Sequence, residues 1–160
     1  MMLGGLKQQY RRLYEDSIEV AKKHVLYSPL NQDSRDILLA GNVRVTGGEL
    51  MLDPQGQHLA CFAGGMIGIG AKIFERDDLE TARKLVDGCV WAYETMPTGI
   101  MPETFHTLPC MADCQWDETK WHQGILDRQN DPHGSALNHI TDKRLRPGFT
   151  DIGDRRYILR

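Results

Sequence analysis

The stretch from residue 58 to residue 74, HLACFAGGMIGIGAKIF, limits what this chain can become more than any other. Leu59, Phe62, Ala63, Met66, Ile69, Ile73 and Phe74 recur at helical spacing, and Gly64, Gly65, Gly68 and Gly70 are set among them. Each such glycine costs a helix about 1 kcal/mol relative to alanine, so a helix that keeps them must have a neighbour approaching its backbone closely. The run is also far too short to cross a bilayer, and no transmembrane helix is read here.

Around this segment the periodicity predicts two more helices. Leu6, Tyr10, Leu13, Tyr14, Ile18, Ala21 and Val25 make an amphipathic helix over 6–25, which Tyr27-Ser28-Pro29 ends. Asp77 reads as the N-cap of a third helix, with Glu80 three residues on. That helix has Leu79, Ala82, Leu85, Val86, Cys89 and Tyr93 on its apolar stripe and ends near Thr95. Two short β-like runs, 37–45 and 49–52, are joined by Thr46-Gly47-Gly48 as a hairpin. Residues 97–105 form a loop that is apolar for an exposed one, 106–149 read as polar and irregular, and 156–159 as a short strand.

Charge excludes one class of function. With 19 Lys and Arg against 22 Asp and Glu among 160 residues, the formal net charge is −3, which rules out a basic nucleic-acid coat. The start of the chain passes directly into a charged helix, so no signal peptide is read in it. Cys61, Cys89, Cys110 and Cys114 allow two disulfides in an oxidising compartment or four thiols in a reducing one.

Few residues carry chemistry on their own. The glycine run misses a phosphate loop, because Gly70 is followed by Ala71-Lys72 without Ser or Thr, and Ile73 breaks a dinucleotide fingerprint. Cys110, Cys114, His106, His122, His133 and His139 match no strong zinc spacing. Cys61 and Cys89 lie on the apolar stripes of adjacent helices, which suits either two buried thiols or a disulfide. Glu103, in the proline-fixed loop Met101-Pro102-Glu103-Thr104-Phe105, is expected to be poorly solvated and therefore paired or working. Glycosidic cleavage would need a second carboxylate besides it.

Four motifs then occur in order: His58-Leu-Ala-Cys61-Phe62-Ala-Gly64-Gly65, Gly88-Cys89-Val-Trp91, Gly99-Ile-Met-Pro102-Glu103, and Arg156-Tyr157-Ile-Leu159-Arg160. Together they resemble glycoside hydrolase family 47, the class I α-1,2-mannosidases that trim high-mannose N-glycans in the secretory pathway. The likeness covers nearly the whole chain outside 110–155.

The resemblance implies an all-α fold with short β-hairpins, part of an (α/α)7 barrel, that hydrolyses terminal α-1,2-linked mannose with inversion. It implies a disulfide between Cys61 and Cys89, and His58 facing the sugar. Glu103 falls on an acidic group of the active site that donates a proton or positions the acid, and Arg160 on an arginine that holds a sugar hydroxyl or orients the general base. A calcium ion at the barrel floor is implied too, with ligands outside this chain. Residues 1–160 then read as a partial catalytic domain, incomplete at both ends, that exposes apolar faces and is inactive alone. The expected compartment is the endoplasmic reticulum or Golgi, with membrane attachment only through an anchor elsewhere. The alternative is a mannose-recognising, lectin-like protein of glycoprotein quality control on the same barrel.

Overall fold

The computed structural model describes residues 7–111, 114–129 and 145–152. Helix α1 (Gln8–His24) buries Ile18, and its last turn carries Lys22, Lys23 and His24, which suit the negative end of the helix dipole. The Val25 amide donates to the Ala21 carbonyl at 2.8 Å and closes it. Leu6, at the start of the predicted helix, lies outside the described residues.

Strand β1 (Leu26–Pro29) follows at once and becomes the centre of a small sheet. Its antiparallel neighbours are β2 (Leu39–Ala40) on one side and β7 (Pro109–Cys110) on the other. Strands β3 (Asn42–Thr46) and β4 (Glu49–Asp53) form the predicted hairpin, with Thr46 opposite Glu49. Gly47 and Gly48 turn it at φ of 62° and 88°, a left-handed pair that suits the twist of the two strands. A third sheet takes β5 (Gln55–Gln57), β6 (Thr104–Thr107) and β8 (Phe149–Ile152), in the order β5-β6-β8.

The glycine-rich segment opens with a 3-10 turn (His58–Cys61) and continues as α2 (Phe62–Phe74), packed against α3 (Leu79–Glu94). A Cβ on Gly64 would stand 2.8 Å from Val86 Cγ2 and 3.1 Å from the Ala82 carbonyl oxygen of α3, and one on Gly70 would overlap the Tyr14 ring of α1. The close approach inferred from the sequence is therefore real at these two positions. At Gly65 it is not, because a Cβ there would meet open space. Along one side of this segment Leu59, Phe62, Met66, Ile69 and Ile73 are exposed.

Asp77 does not cap α3. The residue before the helix is Asp78, and its buried carboxylate makes no capping bond but accepts from Lys22 Nζ of α1 at 2.7 Å and from Arg76 Nε at 2.6 Å. Two cations within reach outcompete the backbone amides for that carboxylate.

The described residues of the region expected to be polar and irregular carry more regular structure than its composition suggested. Besides β6, β7 and β8 it contains α4 (Glu118–Gln129), whose inward side is little more than Trp121, Gly124 and Ile125. Trp121 Nε1 donates to the Phe149 carbonyl at 2.9 Å, and Phe149 stacks on Trp91 at 4.9 Å between ring centroids. The predicted strand over 156–159 lies outside the described residues. These residues thus combine helices with three small sheets, a larger β share than an all-α fold with hairpins, and they do not by themselves close a barrel.

Candidate functional site

The edge where β5 meets β6 brings two of the singled-out motifs together. Gln57 lies opposite Thr104 and Gly56 opposite Phe105, so the chain entering His58 runs beside the chain leaving Glu103. The His58 amide donates to the Glu103 carbonyl at 2.9 Å and extends this pairing by one residue. Met101 and Pro102 are buried under the loop. Glu103 is not: its side chain is exposed, and among the described residues its carboxylate has no ion pair or hydrogen bond. Poor solvation was the wrong expectation, because the two residues before Glu103 take the inward positions and turn the carboxylate out to water.

His58 is half-buried at the head of the 3-10 turn, and its Nε2 lies 2.7 Å from the Tyr93 hydroxyl. The two rings meet edge to face, with centroids 6.0 Å apart and planes at 73°. Cys61 and Cys89 are joined by a disulfide with Cα atoms 5.9 Å apart, which ties the turn carrying His58 to α3. Met101 Sδ sits 3.9 Å from Cys61 Sγ, so the Pro-Glu loop packs on the bridge itself. Arg160 lies outside the described residues.

The remaining singled-out residues do not gather into a site. Cys110 and Cys114 form a second disulfide across a short loop. His122 faces Glu118 on the surface of α4 at 3.9 Å, and His133 and His139 lie outside the described residues. Among the described residues no group of three or more His, Cys, Asp or Glu side chains could hold a metal ion.

Two residues were missed. Tyr93 read simply as part of a buried stripe, although its place four residues after Cys89 puts it on the same side of α3 as the bridge. His106, read as one of a scattered set, is buried on β6, with Nε2 3.5 Å from Asp53 Oδ1 and Nδ1 3.6 Å from Asp151 Oδ2. Arg128 of α4 stands 3.8 Å from the same Asp53 oxygen, and the Tyr27 hydroxyl bonds Thr107 beside His106 at 2.9 Å. Interaction with His106 holds the Asp151 carboxyl below the usual aspartate range, against the opposing effect of burial. No local signal in the sequence marks the burial of His106, because period 2 puts it on the side of β6 opposite Phe105 and Thr107, and both sides are buried.

Comparison with known proteins decides the family, since the pattern for glycosyl hydrolase family 47 matches residues 1–160. The chain belongs to glycosyl hydrolase family 47. Among similar proteins, the probable mannosyl-oligosaccharide α-1,2-mannosidase 1B of Neosartorya fischeri is 36% identical over 97 residues, covering 60% of this chain and 18% of its own length. The mannosyl-oligosaccharide α-1,2-mannosidase of Coccidioides posadasii is 31% identical over 142 residues, covering 87% of this chain and 24% of its own length. A solved structure, the α-1,2-mannosidase from Trichoderma reesei, superposes on 56% of this chain and 18% of its own with a TM-score of 0.48 at 23% identity. The chain spans less than a quarter of the length of these relatives, 18% and 24% for the two curated ones.

Proposed function

We propose that this family 47 chain serves the hydrolysis of terminal α-1,2-linked mannose from high-mannose N-glycans, with inversion at the anomeric carbon. The observation that carries the reading is the junction of β5 and β6, where His58 and Glu103, two residues of the motifs that resemble the family, flank the adjacent strand ends and are joined by a backbone hydrogen bond. His58 supplies an imidazole edge to a sugar hydroxyl. Glu103, open to solvent beside it, donates a proton to the leaving oxygen or positions the acid that does. Inverting hydrolysis requires a second carboxylate, set across the bond to activate water, and that group comes from outside the described residues. Arg160 would orient that base or hold a sugar hydroxyl.

The helices α1, α2 and α3 would be staves of an (α/α)7 barrel, and the exposed side of α2 would pack on the staves beside it. Calcium does not fit the side chains described, so its ligands would lie elsewhere. Two disulfides suit an oxidising compartment and support a place in the endoplasmic reticulum or Golgi. No helix among the described residues is long and apolar enough to cross a membrane. The lectin-like alternative has no observation in its favour, since the relatives compared above are named as mannosidases.

The test is mannose release from a high-mannose glycan by the protein at its natural length, beside Glu103→Gln, with and without a calcium chelator. A loss of about 10²–10⁴-fold in the variant, with the first-formed mannose in the β configuration, is the expected result. Glycan binding without any release would instead establish the lectin reading.

A further inference from the structure

Tyr93 and His58 are 35 positions apart in the chain, and the disulfide joins the two segments that carry them. Cys61 lies three residues after His58, and Cys89 lies four before Tyr93, one turn away on the same side of α3. Clamping the two cysteines holds the Tyr93 hydroxyl at the edge of the imidazole, where it meets Nε2 at 2.7 Å. Nδ1 of His58 has no partner among the described residues, so the ring has one held nitrogen and one available. A phenol is a better donor than acceptor, and the Tyr93 hydroxyl has no other protein partner among the described residues.

We propose that Tyr93 is a positioning residue for sugar recognition. Its hydroxyl donates to Nε2 of His58, fixing the tautomer that carries the proton on Nδ1 and presenting that N–H to a hydroxyl oxygen of the mannose ring. The hydrogen bond at one imidazole nitrogen sets the protonation of the other, so the tyrosine acts on the sugar without touching it. This inference rests on the reading of His58 as the residue that faces the sugar.

The experiment is nitrogen-15 NMR of the histidine rings in the full chain, wild type and Tyr93→Phe, titrated with methyl α-D-mannopyranoside. In the wild type His58 should show a single tautomer with the proton on Nδ1, and the mannoside should perturb that nitrogen. In Tyr93→Phe the two tautomers should interchange and the mannoside should bind roughly fivefold more weakly, the usual consequence of losing one neutral hydrogen bond. Fluorotyrosine at position 93 keeps the ring and sharpens the donor, so a shift at Nε2 tests the bond even if the phenylalanine variant fails to fold. Unchanged His58 signals and unchanged affinity in both variants would overturn the role of Tyr93 alone. A His58 tautomer that follows Tyr93 while the mannoside leaves Nδ1 unmoved would instead overturn the sugar-facing reading of His58, and this use of Tyr93 with it.

Discussion

At Asp78 one carboxylate holds two segments together. Burial by itself would raise its pKa, but the Lys22 ammonium and the Arg76 guanidinium more than offset this and hold the group below the usual aspartate range. A depressed carboxyl stabilises the fold at pH values above its unfolded pKa of about 3.9, and that contribution disappears as the pH falls through the lower folded value. Asp151, held down by His106, acts in the same direction. Asp78→Asn is therefore expected to lower the stability of the chain by about 1–3 kcal/mol at neutral pH. In thermal unfolding the gap between wild type and variant should narrow below about pH 4. A gap that stays constant from pH 7 to pH 3 would show that the two cations contribute nothing through charge.

Within the helices, the contrast between neighbouring glycines is the sharpest test of packing. Gly64 faces α3 at a distance that leaves no room for a methyl group, and Gly65 faces open space on the next position of the same helix. Gly64→Ala is expected to cost about 1–3 kcal/mol, because the backbone of α3 at Ala82 and Val86 must move away. Gly65→Ala should instead stabilise by about 0.5–1 kcal/mol, through helix propensity alone. Equilibrium denaturation of the two variants checks both signs, and equal effects would mean that α2 and α3 do not pack as described. The bridge between Cys61 and Cys89 closes a loop of 28 residues, so Cys89→Ser should cost about 3–4 kcal/mol. The bridge between Cys110 and Cys114 closes only four and should matter much less, which the same denaturation of Cys114→Ser would establish.

Over the whole molecule, the dominant feature is the apolar side of α2, where Phe62 is 77% and Ile69 is 62% exposed. Bare surface of that kind drives association. The chain is expected to bind a hydrophobic dye and to sediment as larger species with rising concentration, and Phe62→Lys with Ile69→Lys should reduce both. Monomeric, dye-free behaviour of the wild type would show that another part of the chain covers the stripe. What could be foreseen of this architecture was whatever repeats locally. The apolar spacing of 6–25, 58–74 and 79–95 determined three helices, and Gly47-Gly48 determined a hairpin, because backbone preference and side-chain period act over a few residues. The motifs around His58, Cys61, Cys89 and Glu103 likewise determined the family, which the match over residues 1–160 established. Only the tertiary structure decided that Glu103 turns to solvent, that His106 is enclosed between Asp53 and Asp151, and that Tyr93 reaches His58. Each depends on a pairing between segments distant in the chain, β5 with β6, β6 with β8, and the 3-10 turn at His58 with α3. No local period records such a pairing, because its geometry is set by the packing of whole elements.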